Sequence, residues 1–276
     1  MQLLPPIWDL MPFVAGLMAA GAVAGFLAGL FGIGGGAVLV PVFYQMLGVL
    51  GVDDAVRMHV SVGTSIAIIV PTSLRSALSH LKRGSVDVDL LRSFAISVPA
   101  GVVVATIVAA WISSEELRFV FAFVAVIVAL KLLFARASWK LGDEIPGNPV
   151  RAVIGFAIGL LSTFMGIGGG VFNNTFMTLY GRPMLQSVAT SAGVGVLISI
   201  PGVIGYALAG LGAAGMPPFS IGYVNLLMVA VVIPVTLLVA PLGVSAAHRM
   251  KRRTLEVGFG LFMLVVAARF LISLLG

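Results

Sequence analysis

Apolar residues run in long blocks along this chain, and polar residues are largely confined to the short gaps between them. Ten blocks can be marked. They lie at about 11–31, 36–48, 59–81, 90–112 and 117–134 in the first half, and at about 151–165, 170–181, 187–211, 223–246 and 255–275 in the second. Crossing a hydrocarbon core of about 30 Å takes roughly 20 helical residues. Most blocks approach or exceed that length, so the pattern predicts an all-α polytopic integral membrane protein. The blocks at 36–48, 151–165 and 170–181 are too short to cross alone, and all three border the same five letters, GIGGG, at 32–36 and again at 166–170. Three glycines in a row invite a helix to break, and in lipid a broken backbone survives only where protein or a wet cavity surrounds it. The expectation is a hairpin in each half with the glycines near its tip, the two hairpins entering from opposite sides and meeting near the midplane.

The halves read as copies. The glycine motifs are offset by 134 residues; Val62-Gly63-Thr64-Ser65 matches Val188-Ala189-Thr190-Ser191 at 126; Pro99 pairs with Pro234 at 135; Leu117, Phe121 and Lys131 pair with Leu255, Phe259 and Arg269 at 138. Drifting offsets are what loop insertions produce. The division is a first repeat at 1–134, a polar linker at 135–150 ending in the turn-forming Pro146-Gly147-Asn148-Pro149, and a second repeat at 151–276. Charge then sets orientation. HRMKRR at 248–253 and Lys82-Arg83 mark cytoplasmic loops, whereas their counterparts, SSEE at 113–116 and GAAGMPPFS at 212–220, carry no basic residue. Twelve Lys/Arg fall inside or near it, Arg57, Arg118 and Arg269 outside, and Arg75 within a span. Equivalent loops lie on opposite sides, so the repeats are inverted in topology, each a glycine-broken hairpin plus three transmembrane helices, with both termini external.

Composition narrows the function. The chain is 60% hydrophobic and 9% charged, with a mean hydropathy of +1.15. Its formal charge of +6 resides between apolar runs, where topology explains it, and no basic stretch alternates with exposed aromatics as nucleic-acid binding would ask. The absence of cysteine excludes disulfides, thiolate metal sites and a cysteine nucleophile. No acid lies in the interior of a predicted span, which disfavours cation pumps and carboxylate proton relays. With no catalytic dyad or metal cluster, neither an enzyme nor a cofactor is indicated.

What the chemistry favours is an anion. The first amides after a glycine turn have no intrahelical acceptor and sit at the positive end of a helix dipole. Inverted-repeat transporters place such ends around a midplane substrate site. The leading candidates are therefore Gly34, Gly35, Gly36 and Gly168, Gly169, Gly170. Plain helix packing is the competing explanation, although packing motifs are usually spaced small-xxx-small. Ser162 and Thr163 precede the second motif, and Asn173, Asn174 and Thr175 follow it, where the first half has Leu39, Val40 and Pro41; the second hairpin is expected to supply more hydrogen bonds. In the third block Ser61, Ser65, Thr72, Ser76 and Ser79 recur at helical spacing with Thr64 and Arg75 beside them. Thr64-Ser65 and Thr190-Ser191, the repeated polar pairs, are second-rank binding candidates. Arg75 and His80 are candidates for gating or charge sensing, with snorkelling to the interface as the plainer role for Arg75.

GLFGIGGGAVLVPVF at 29–43, HVSVGTS at 59–65, MGIGGGVFNNTF at 165–176 and SVATS at 187–191 together resemble the TauE/SafE family, the sulfite exporter or toluene-sulfonate-uptake permeases. The resemblance covers nearly the whole chain. It implies a bacterial inner-membrane permease for sulfite, sulfonates, sulfoacetate or related small anions, leaving cargo, direction, coupling proton or ion and oligomeric state open. The alternatives are a channel-like anion pathway and a permease of the same fold for a non-sulfur small anion.

Overall fold

The computed structural model describes residues 7–31, 35–134, 140–247 and 252–275. In chain order these form α1 (Ile7–Phe31), α2 (Gly36–Val49), α3 (Asp54–Lys82), α4 (Val88–Ala109), α5 (Ser114–Phe134), α6 (Val150–Phe164), α7 (Gly170–Leu179), α8 (Met184–Ala209), β1 (Ser220–Ile221), β2 (Val224–Asn225), α9 (Leu226–Ala247) and α10 (Arg252–Leu275). Six of them, α3, α4, α5, α8, α9 and α10, carry stretches long and apolar enough to cross a bilayer. The protein is an α-helical, multi-pass membrane protein.

Each apolar block becomes one helix, and the ends have local causes. Asp53 caps α3 by accepting the Ala55 amide at 3.0 Å, and Asp87 caps α4 by accepting that of Leu90 at 3.0 Å. Ser113 and Glu116 form a reciprocal capping box at α5, with the Glu116 carboxylate accepting the Ser113 amide at 2.6 Å and the Ser113 hydroxyl accepting that of Glu116 at 3.1 Å. The β1–β2 ladder is an addition to the all-α expectation. Gly222, at φ 51°, turns it, and the Tyr223 amide donates to the Tyr206 carbonyl at 3.1 Å. This tucks residues 220–225 against the end of α8, so α9 starts after the ladder rather than at 223.

The most extensive helix pairings, α1 with α9, α4 with α6, α3 with α8 and α5 with α10, all join one half of the sequence to the other. Glycine permits the close ones. A methyl on Gly25 would meet the Thr236 backbone at 2.8 Å. One on Gly243 would overlap the Phe26 carbonyl, and one on Gly101 the Phe156 carbonyl. In both cases the glycine lies two residues past a proline, Pro241 or Pro99. Apolar cores follow the same plan. One joins α1, α2, α3 and α9 through Leu17, Leu39, Phe43 and Met228, and another joins α4, α6, α7 and α8 through Phe94, Ile158, Met177 and Ile198. A third, with Phe121 and Phe270, fills the space among α3, α5 and α10. Large apolar side chains such as Ile96, Phe123 and Leu238 point outward, as a lipid-facing surface requires.

Candidate functional site

Both glycine motifs interrupt the helix. α1 ends at Phe31 and α2 starts at Gly36; α6 ends at Phe164 and α7 starts at Gly170. The residue before each new helix is a glycine in the left-handed region, Gly35 at φ 73°, ψ −16° and Gly169 at φ 73°, ψ −9°. An L side chain there costs about 1–2 kcal/mol, which is why glycine holds both places. Neither helix has a side-chain cap. The Gly35 carbonyl accepts the amides of Val38 and Leu39 at 3.0 and 3.1 Å, and the Gly169 carbonyl accepts that of Asn173 at 2.9 Å. Gly34 lies outside the described residues.

The two breaks touch. A methyl on Gly36 would overlap the Gly166 carbonyl, and the Ser65 hydroxyl donates to that same carbonyl at 2.8 Å. Gly166 and Ile167 turn back to donate to Thr163 and Ser162 carbonyls at 3.1 and 2.9 Å. Beyond them, the amides from Gly168 to Phe172 find no acceptor among the described residues. Gly168 packs on Ile69 of α3 and on Gly195 of α8; Gly169 lies against Val194 and Ile198, with the Ser162 hydroxyl 3.7 Å from where its Cβ would stand.

Around α7 the side chains are polar and buried. Asn173 Nδ2 donates to Ser191 Oγ at 2.8 Å, and Ser191 Oγ donates to Asn174 Oδ1 at 2.6 Å. Asn173, Ser162 and Thr163 are wholly buried. Thr163 is satisfied by the Gly159 carbonyl at 2.7 Å, whereas Ser162 Oγ and Asn173 Oδ1 have no hydrogen-bond partner. Buried polar atoms rarely stay unpaired, and these two belong to the residues that flank the open amides on either side.

Other expected residues are distributed differently. Thr64 and Thr190 are buried, but each reaches across to the opposite half. Thr64 Oγ1 accepts the Asn225 amide at 3.0 Å, and Thr190 Oγ1 accepts the Asp87 amide at 2.9 Å. Asn225 and Asp87 then cap α9 and α4 through the amides three residues on, each at 3.0 Å. Of the α3 stripe, Ser61 is spent on the Arg57 carbonyl at 2.7 Å and Thr72 on that of Ile69 at 2.9 Å. Arg75 is exposed on α3, and His80 is half-buried in its last turn, where its carbonyl caps the helix end. Neither is brought to the glycine breaks. Missed in the sequence were Ser73, whose hydroxyl lies 3.5 Å from that of Ser199 across the α3–α8 contact, and the capping pair Asp87 and Asn225. Asp87 carried a signal, an Asp just before an apolar run; Ser199 carried none.

Comparison with known proteins follows the same outline. A family profile described as "Sulfite exporter TauE/SafE" matches residues 17–270. A protein named "Probable membrane transporter protein" from Haemophilus influenzae is 34% identical over 256 residues, covering 92% of this chain and 97% of the relative. Proteins of similar name from Methanocaldococcus jannaschii and Bacillus subtilis are 26% and 24% identical and cover 90% and 92% of the chain, and 94% and 95% of themselves. No solved structure matches. A match running through both glycine breaks, with relatives aligned nearly end to end, establishes that the chain belongs to the TauE/SafE family.

Proposed function

We propose that the protein is a secondary transporter for a small sulfur-containing anion such as sulfite or a sulfonate, held between the two glycine breaks and passed across by alternating access. One observation carries this reading: the open amides of Gly168 to Phe172 start a helix beside the buried, unpaired Ser162 Oγ and Asn173. An oxyanion accepts from such amides. Turning the Asn173 and Asn174 amides by 180° keeps both bonds to Ser191 with their direction reversed. It also converts the unpaired Asn173 oxygen into a free N–H donor suited to the same guest.

Two inverted repeats underlie the mechanism. Supporting this are the shared left-handed geometry of Gly35 and Gly169, the reciprocal Thr64–Asn225 and Thr190–Asp87 contacts, and the matching Gly101 and Gly243 contacts. Because the helix pairings interleave the halves, the moving bodies are not 1–134 against 151–276. They are α1, α2 and α9 on one side and α4, α6 and α7 on the other, sliding around α3 and α8. The test is uptake into proteoliposomes of labelled sulfite, thiosulfate, methanesulfonate and acetate, with and without a pH gradient. Saturable flux of a sulfur oxyanion, lost in Gly169→Ala, is expected; flux that never saturates identifies a channel, and no flux of any anion refutes the proposal.

A further inference from the structure

A second cluster of charge sits at the far end of α2. The Tyr44 hydroxyl donates to Asp54 Oδ1 at 2.7 Å and accepts a hydrogen bond from Arg118 Nη1. Arg57 Nη1 lies 3.2 Å from Asp54 Oδ1, and Arg118 Nη1 lies 3.8 Å from Asp54 Oδ2. Both guanidinium groups lie over the Tyr44 ring, at 5.2 and 5.5 Å from its centroid. One carboxylate thus serves two arginines on two helices, α3 and α5, and through Tyr44 pins both to α2. The Arg118 side chain is 8% exposed and its Nε has no partner, while Asp54 is 60% exposed. A half-solvated carboxylate is weakly held and exchangeable; a buried arginine with an idle donor is not satisfied by it. The cluster adjoins the 50–53 loop, and residues 110–114 and 215 meet the same end, through the Ser114–Met58 bond at 3.0 Å and through Gly215, where an added Cβ would stand 3.2 Å from that of Asp53. Charge distribution makes that end external.

We infer that Arg57 and Arg118 form an outer anion-binding site in which Asp54 stands in for the ligand, and that an incoming oxyanion displaces Asp54 and releases α2 from α3 and α5. The inference rests on the reading of the protein as an anion transporter, and α2 is the element that links the two, because its other end is the first glycine break. The ligand class is a small sulfur or other tetrahedral or pyramidal oxyanion, met by the idle Nε of Arg118 and by Nη1 of Arg57, whose Nε and Nη2 donate to the Val52 carbonyl at 3.2 and 2.8 Å.

The chain contains no cysteine, so a single thiol reports cleanly. Leu47→Cys places one at a position on α2 that is 1% exposed. In proteoliposomes, a membrane-impermeant maleimide added from outside should label it about threefold faster with methanesulfonate present, as expected when charge-assisted bonds transfer from Asp54 to the added anion. Asp54→Asn should produce the same acceleration at lower methanesulfonate, and Arg118→Gln should abolish its dependence on the anion. Val49→Cys, 90% exposed, controls for reagent access by labelling equally in every variant, and size-exclusion elution in detergent reports the fold; Met46→Cys replaces Leu47→Cys should the latter fail to fold. Labelling that ignores methanesulfonate, or responds equally in Arg118→Gln, overturns the site. Flux measured on the same vesicles separates the two readings: anion-dependent labelling without flux preserves the site and sinks the transporter, and flux without anion-dependent labelling does the reverse.

Discussion

The first and second glycine breaks share a backbone and differ in their furniture. Gly35 and Gly169 both sit at φ 73° and both start a helix without a side-chain cap. Around the first, Leu39 and Val40 are buried apolar residues; at the matching places in the second stand Asn173 and Asn174, tied to Ser191. Backbone geometry is therefore what the two breaks share. Under the proposed function the contrast divides the work: peptide groups at both breaks attract negative charge, while side chains at the second fix how the guest is oriented.

The strongest way to test that division is at the backbone. Gly36→Ala forces a methyl into the Gly166 carbonyl, and Gly35→Ala and Gly169→Ala place a side chain in the left-handed region. Local strain of about 1–3 kcal/mol at each is expected to reduce flux to roughly a tenth or less, measured in proteoliposomes at matched protein content. Flux surviving in Gly35→Ala but not in Gly169→Ala reduces the first break to a packing device. Next in size is Asn173→Leu, which copies the first break onto the second. It removes the donor to Ser191 Oγ, and the half-saturation concentration should rise about tenfold, whereas Leu39→Met leaves it unchanged. A smaller effect comes from Thr64→Val and Thr190→Val. Each strips the acceptor from one helix-start amide, buried at Asn225 and part-buried at Asp87, and should lower stability by about 1 kcal/mol, read by denaturation in detergent, with the larger loss in Thr64→Val. The least is Arg75→Gln. Its exposed side chain lies away from both breaks, and flux within about twofold of wild type is expected.

Helix positions were legible because lipid allows one kind of backbone solution, and apolar block length reports it directly. Both interruptions were legible for the same reason, since contiguous glycine has few uses inside a span. Their contact through Gly36 and Gly166 also followed from reading the halves as copies. Hidden were the partners. No pattern in the letters announces that α1 lies against α9 or that α4 lies against α6, because helices in lipid associate by local shape and not by an apolar stripe. For the same reason the letters do not show that Thr64 and Thr190 each engage the start of a helix far along the chain. Tyr44, Asp54 and Arg118 were likewise invisible as a group, lying 10 and 74 residues apart along the chain from Tyr44.

The interleaved pairings also bear on how the protein is made. α1 leaves the ribosome long before α9, and α5 before α10, so neither early helix meets its main neighbour until more than 90 further residues have been made. During that interval Gly25 and its companions face lipid or insertion machinery with their close-packing surfaces unfilled. Fragments severed within the 135–150 linker should then accumulate only when both are produced in the same cell, each acting as the scaffold the other lacks.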